Sequence, residues 1–260
     1  MNITMISSWQ LIGVITMGAC IGGIAGYLGS LMVTKRMALM AGALGHLTLP
    51  GVSLGLLYGF DVSIGALIFL TLGIFVIWLL QQWTKLPLEA LTAVVFASSL
   101  AVAFLFLPKK EAYTALIGDI SHVPFMAILI SIVLSLIIFL IIYTIMPRLI
   151  LSSISPDLAA VEGYHVAALT LVYLVCIALV VAMGVRIVGG LMTAALVSIP
   201  ACASSNINKN LASYSFTSLG IGMIACICGI IISIATGIPA GPLIIITSST
   251  IFIISLLWRK

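Results

Sequence analysis

Carboxylates are scarce in this chain: Asp and Glu together number 6 among 260 residues, and all charged residues make up 6%. A soluble domain carries about 25% charged residues. A soluble enzyme carrying a membrane anchor is therefore excluded. No polar stretch is long enough for a separate soluble domain, so a single membrane domain over 1–260 is expected. No G-x-x-x-x-G-K-[ST] loop occurs, so the chain has no nucleotide-hydrolysing site of its own and is not expected to be an enzyme. H-E-x-x-H is missing too, which excludes the corresponding membrane metalloprotease. No carboxylate falls deep in an apolar run, so the usual proton relay of a secondary carrier is lacking.

Other shortages narrow the reading further. The net charge of +4 comes from basic residues scattered through loops, which is no nucleic-acid footprint. The cysteines Cys20, Cys176, Cys202, Cys226 and Cys228 all lie in apolar surroundings, so no disulfide framework is expected. Cys226-x-Cys228 lacks metal-ligand spacing, and residues two apart do not share a helix face. No Lys or Arg precedes the first apolar run, so no cleaved leader is expected.

What the chain has is hydrophobic length: 63% of residues are hydrophobic. Hydropathy gives candidate spans at Trp9–Val33, Met37–Leu57, Val62–Leu80, Leu88–Leu107, Val123–Met146, Val166–Gly184, Ile187–Cys202, Phe216–Thr236 and Leu243–Trp258. The seventh is short and could be re-entrant. The fold class is therefore an all-α polytopic bundle of eight or nine transmembrane helices. With the first turn in the cytoplasm, Lys35, Arg36, Lys85, Arg148, Lys209, Arg259 and Lys260 face inward, while Lys109, Lys110 and Arg186 face outward. Seven of the 10 basic residues inside and three outside satisfies the positive-inside bias. This orientation puts the N-terminus outside and the C-terminus in the cytoplasm.

His46 lies ten residues beyond the basic pair Lys35–Arg36. At a helical rise of about 1.5 Å per residue it sits roughly 15 Å into a hydrocarbon core of about 30 Å. An imidazole at that depth is a functional-site candidate. Gly42, Gly45, Pro50 and Gly51 cluster around it. A proline within a helix removes a backbone hydrogen bond, and in lipid a broken backbone survives only inside protein or along a cavity. Gly42, Pro50 and Gly51 thus mark a helix break beside a pathway; the alternative is an ordinary kinked core helix.

The segment 153–165, between the fifth and sixth spans, has sharp boundaries. Ser155 suits an N-cap, Pro156 the first helical position and Asp157 the positive helix end. Gly163 suits a left-handed stop. A short helix over Pro156–Glu162 is expected, with Leu158, Ala159 and Val161 giving it apolar surface on the aqueous side. Such a helix either docks another protein or lies back on its own bundle. Asp119 and His122, near the outer end of the fifth span at i and i+3, could form a mouth site for a cation or cap that span. Asp61 reads as a turn residue, Glu89 as a complement to a helix N-terminus, and His165 as interfacial. Ser98 and Ser99 are expected to bond back to their own helix.

Taken in order, several segments resemble the membrane permeases of zinc, manganese and iron ABC importers, most closely the zinc importer permease of Gram-negative bacteria. Lys35-Arg36-Met37-Ala38 and Leu44-Gly45-His46-Leu47-Thr48-Leu49-Pro50-Gly51-Val52 resemble the basic-pair turn and histidine-bearing second span. Ile117-Gly118-Asp119-Ile120 is similar to the Gly-Asp-Ile/Leu motif after the fourth span. Ser153-Ile154-Ser155-Pro156-Asp157-Leu158-Ala159 is similar to the cytoplasmic coupling segment. Val188-Gly189-Gly190-Leu191 with Ile199-Pro200-Ala201, and Pro239-Ala240-Gly241-Pro242, resemble the seventh span and the last outer turn. The likeness runs over nearly the whole chain.

The resemblance implies a permease subunit in a bacterial plasma (inner) membrane. It would work with a second permease chain, identical or paralogous, cytoplasmic ATP-binding subunits and an extracytoplasmic metal-binding protein. It implies no permanently bound cofactor; a divalent metal ion, zinc or manganese, is the cargo, passing near His46. ATP-driven closure would act through Ser155, Pro156, Asp157, Leu158, Ala159, Glu162 and Gly163. One position departs from the family: four residues before the histidine, where an aspartate is usual, stands Gly42. Positions i and i+4 share a helix face, so an Asp–His pair there would make a two-ligand site. Gly42 leaves one imidazole per chain. Two rival readings therefore stand: a non-transporting or partner paralogue in a heteromeric permease, and an ATP-independent carrier or channel.

Overall fold

The computed structural model describes residues 8–35, 37–84, 86–106, 123–189 and 192–258. The described residues form helices α1 (Ser8–Thr34), α2 (Ala38–Leu47), α3 (Leu49–Tyr58), α4 (Val62–Trp83), α5 (Leu88–Phe106), α6 (Phe125–Ile154), α7 (Pro156–Val161), α8 (Val166–Val188), α9 (Thr193–Ile207), α10 (Leu211–Thr236) and α11 (Ala240–Leu256). Lipid cannot satisfy backbone polar groups, so a helical solution is what the composition demands. Five helices are long and apolar enough to cross a membrane: α1, α4, α6, α8 and α10. α5, α9 and α11 are shorter apolar helices.

α1 is the central element. Within its apolar window 67% of residues are buried, against 28% for α6, which lies at the periphery. α1 packs on α6, α8, α9 and α10. Its approach to α10 depends on having no side chain at the crossing. A Cβ on Gly22 would overlap the Gly222 carbonyl, and one on Gly222 would overlap the Gly22 carbonyl. Small residues at such crossings let backbones pack closely where no hydrophobic effect drives helices together.

Buried hydroxyls tie the same elements. Ser30 and Ser215 share a hydrogen bond of 2.8 Å, and Ser218 Oγ donates to the Gly26 carbonyl at 2.6 Å. Tyr173 donates to the Leu28 carbonyl at 2.9 Å, and Asn206 Nδ2 reaches Ser255 Oγ at 2.9 Å. Such interhelical bonds average roughly 0.6 kcal/mol each in a membrane protein, so they set register more than stability. Exposed Ile, Leu, Val and Phe on α4, α6, α10 and α11 supply the lipid-facing surface.

Three spans differ from the hydropathy reading. The expected second span is two helices, α2 and α3, joined at Thr48. The fifth runs on through Pro147 to Ile154 because apolar residues continue on both sides of the proline. Its 30 residues rise about 45 Å, well beyond a core of about 30 Å. The seventh span does not begin at Ile187. α8 keeps Ile187 and Val188, and Gly189 at φ +85° ends it. α9 then starts at Thr193 and runs past Cys202 to Ile207, with Pro200 inside it.

Candidate metal-transport site

The site is built from the break between α2 and α3. Thr48 is the shared junction residue, and its hydroxyl folds back onto the Gly45 carbonyl at 2.6 Å. Pro50 occupies the first turn of α3, where its missing N–H costs nothing. Thr48 keeps right-handed helical dihedrals (φ −72°, ψ −25°), and its carbonyl accepts from Val52 N at 2.9 Å. Gly51 sits against the backbone of Gly65 on α4, with no room for a Cβ. Pro50 and Gly51 are buried, so this irregular backbone lies inside protein, as lipid requires.

His46 stands one residue before the last position of α2 and is half-buried. Its Nδ1 is buried and has no hydrogen-bond partner among the described residues. A buried acceptor or donor left unpaired costs about 1–3 kcal/mol. The ring packs on Phe96 of α5, with centroids 5.1 Å apart and planes inclined at 45°. Gly42, one turn before His46 on α2, is half-buried, and a Cβ added there would meet nothing within 4 Å. A half-buried imidazole can ligate a divalent cation; imidazole suits zinc and related metals. Among the described residues no group of three or more His, Cys, Asp or Glu converges on a metal-sized site.

At the adjoining ends of α1, α4, α5, α6 and α8 a cavity of 530 Å³ is lined by Lys35, Glu89 and polar groups including Gln81, Ser152 and Thr170. The Lys35 ammonium lies 5.4 Å from the centre of the Tyr173 ring, and burial pushes its pKa down. Phe96, absent from the sequence reading, is the addition here. It is an ordinary apolar residue in an apolar helix, and only the packing of α5 on α2 reveals its neighbour.

The segment 153–165 folds as its residues direct. α7 covers Pro156–Val161, and Ser155 Oγ accepts from Leu158 N at 3.4 Å, a long cap. Glu162 is the C-cap rather than a helical residue. Gly163, at φ +82°, reverses the chain, with Gly163 N bonded to the Ala160 carbonyl and Tyr164 N to the Ala159 carbonyl, both at 3.0 Å. Ala159 is fully buried, while Leu158 is 52% and Val161 87% exposed. Asp157 and Glu162 are exposed as well. The Arg148 guanidinium lies 5.3 Å from the Tyr164 ring, fixing the exit of the segment on α6.

The chain belongs to the ABC 3 transport family. The family profile matches residues 8–259. Among proteins similar to this one is the manganese import system permease protein ScaB of Streptococcus gordonii, 28% identical over 239 residues, covering 90% of this chain and 86% of that protein. Another is the high-affinity zinc uptake system membrane protein ZnuB of Buchnera aphidicola, 26% identical over 248 residues, covering 92% and 94%. The solved structure of PsaBC from Streptococcus pneumoniae in complex with Fab matches with a TM-score of 0.81 at 25% identity, over 95% of this chain and 90% of that one.

The remaining expected residues of this ABC 3 chain are placed as follows. Asp61 caps α4 by accepting from Ser63 N at 2.9 Å. Glu89 lies in the first turn of α5, His165 is the exposed N-cap position of α8, and Ser98 bonds back to the Val94 carbonyl at 3.0 Å. The five cysteines are free. Asp119 and His122 lie outside the described residues.

Proposed function

We propose that this chain is the membrane-spanning permease of an ATP-driven importer of divalent metal ions, zinc or manganese, and that the cargo passes His46. The observation that carries the reading is the half-buried imidazole of His46 at a helix break inside a transport-family bundle. The relatives named for manganese and zinc uptake give the cargo class.

In this reading the working unit has two permease chains, two cytoplasmic ATP-binding subunits and an extracytoplasmic metal-binding protein. α7 is the part that meets the ATPase. Its exposed Leu158 and Val161 form an apolar patch between the charges of Asp157 and Glu162. Gly163 ends α7 cleanly ahead of α8, and α7 packs on α6, so a push on α7 reaches the bundle. The N-terminus is outside and the C-terminus cytoplasmic. The open space at Gly42 favours one variant of the reading, in which a non-identical permease supplies the carboxylate that this chain lacks.

The test is reconstitution of the chain with its co-purifying ATP-binding subunit in sealed vesicles. ATP-dependent accumulation of zinc or manganese is the expected result. Metal flux that is indifferent to ATP and to the ATPase subunit would favour a carrier or channel instead.

A further inference from the structure

We infer that Phe96 is the positioning residue of the His46 site, orienting the imidazole for the metal by ring packing. The inference rests on the reading of His46 as a ligand. A metal-binding histidine usually donates its other ring N–H to a carboxylate, carbonyl or water, which fixes both tautomer and orientation. Among the described residues His46 has no such acceptor: its Nδ1 is buried without a partner. Something else must hold the ring, and the aromatic contact found on it is Phe96, at 5.1 Å and 45°. Offset or tilted aromatic pairs at such separations are favourable.

The fold delivers this contact from two directions. His46 lies eight residues beyond Ala38, the first residue of α2, and Phe96 eight residues beyond Leu88, the first of α5. Each is thus about 12 Å into its helix. α2 and α5 pack together, so the rings meet at one level. Phe96 is half-buried, and its ring lies tilted against the imidazole.

The consequence concerns binding more than folding. Without Phe96 the imidazole loses that ring contact, and metal binding must then order it. Removing the usual orienting partner of a ligating histidine costs 10- to 100-fold in metal affinity. Phe96 replaces that partner, so its removal should cost about as much.

The test uses the purified permease–ATPase complex, with Zn²⁺ alone as the probe, and compares F96A, F96L, F96Y, H46A and the double variant H46A/F96A. F96A and F96L should each weaken Zn²⁺ binding by about tenfold or more, while F96Y, which keeps the ring, stays near wild type. Adding F96A to H46A should cost nothing further. F96L keeps apolar bulk, so the comparison stands even where F96A does not assemble. If H46A loses Zn²⁺ while F96A and F96L bind as wild type, Phe96 has no positioning role and His46 remains the ligand. A fall with F96A that F96L restores would make Phe96 a packing residue and overturn the inference. If H46A itself binds Zn²⁺ normally, the ligand reading falls instead.

Discussion

Gly42 and His46 stand one turn apart on α2, and no described residue comes within 4 Å of where a side chain at Gly42 would begin. Residues at i and i+4 face the same way, so a carboxylate at Gly42 would share a face with the imidazole. We expect Gly42→Asp to fit without repacking and to tighten Zn²⁺ binding by about tenfold, or about 1.4 kcal/mol. Two unit charges 4 Å apart attract by about 4 kcal/mol at an effective dielectric of 20, and desolvating the new carboxylate takes back a large part. Calorimetric titration of wild type against variant checks this. Equal affinities in well-assembled complexes would mean that the two positions open onto different spaces.

The coupling segment should be more sensitive at its stop than at its cap. Gly163 holds φ +82°, a region that costs a β-branched residue about 1–3 kcal/mol. The Ser155 cap is long at 3.4 Å, so its loss should cost about 0.5 kcal/mol, the low end for N-caps. Gly163→Val should therefore uncouple ATP hydrolysis from uptake, Ser155→Ala should do so weakly, and neither should change metal affinity. Asp157→Lys, which places a cation at the positive helix end, should behave like Gly163→Val. ATPase rate, uptake and Zn²⁺ binding measured on one preparation separate these effects. Loss of metal binding with normal coupling would rule the segment out as the coupling element.

Topology follows from the loop charges and from α9. Its 15 residues rise about 22 Å, short of a core of about 30 Å. With α9 as a full crossing the termini lie on opposite sides, the N-terminus outside. Impermeant thiol labelling of single cysteines placed at each end of a cysteine-free background should mark the termini from opposite sides. Labelling from the same side would make α9 re-entrant and leave eight crossings.

Much of the fold was readable because lipid imposes one rule, unbroken apolar helices, and α1, α4 and α5 obey it from end to end. Residue-level chemistry was readable where local bonding decides: Ser155, Pro156 and Gly163 bound α7. The span edges failed where apolar composition runs past the structural event. Hydropathy cannot register that Gly189 takes a positive φ, or that Pro147 is carried inside a helix. At the site, His46 and its helix break stood out by depth and by proline and glycine. Phe96 did not, because an aromatic in an apolar helix carries no signal until a neighbour is known.

The most direct measurement is uptake at limiting metal by His46→Ala in the reconstituted permease–ATPase complex. A neutral methyl replaces a half-buried ring whose Nδ1 makes no hydrogen bond, so assembly and basal ATPase activity should survive. Metal accumulation should fall by about tenfold or more, as expected for losing a ligand from a site with few. Wild-type uptake by a well-assembled His46→Ala complex would contradict the account, because the cargo would then cross without touching the imidazole.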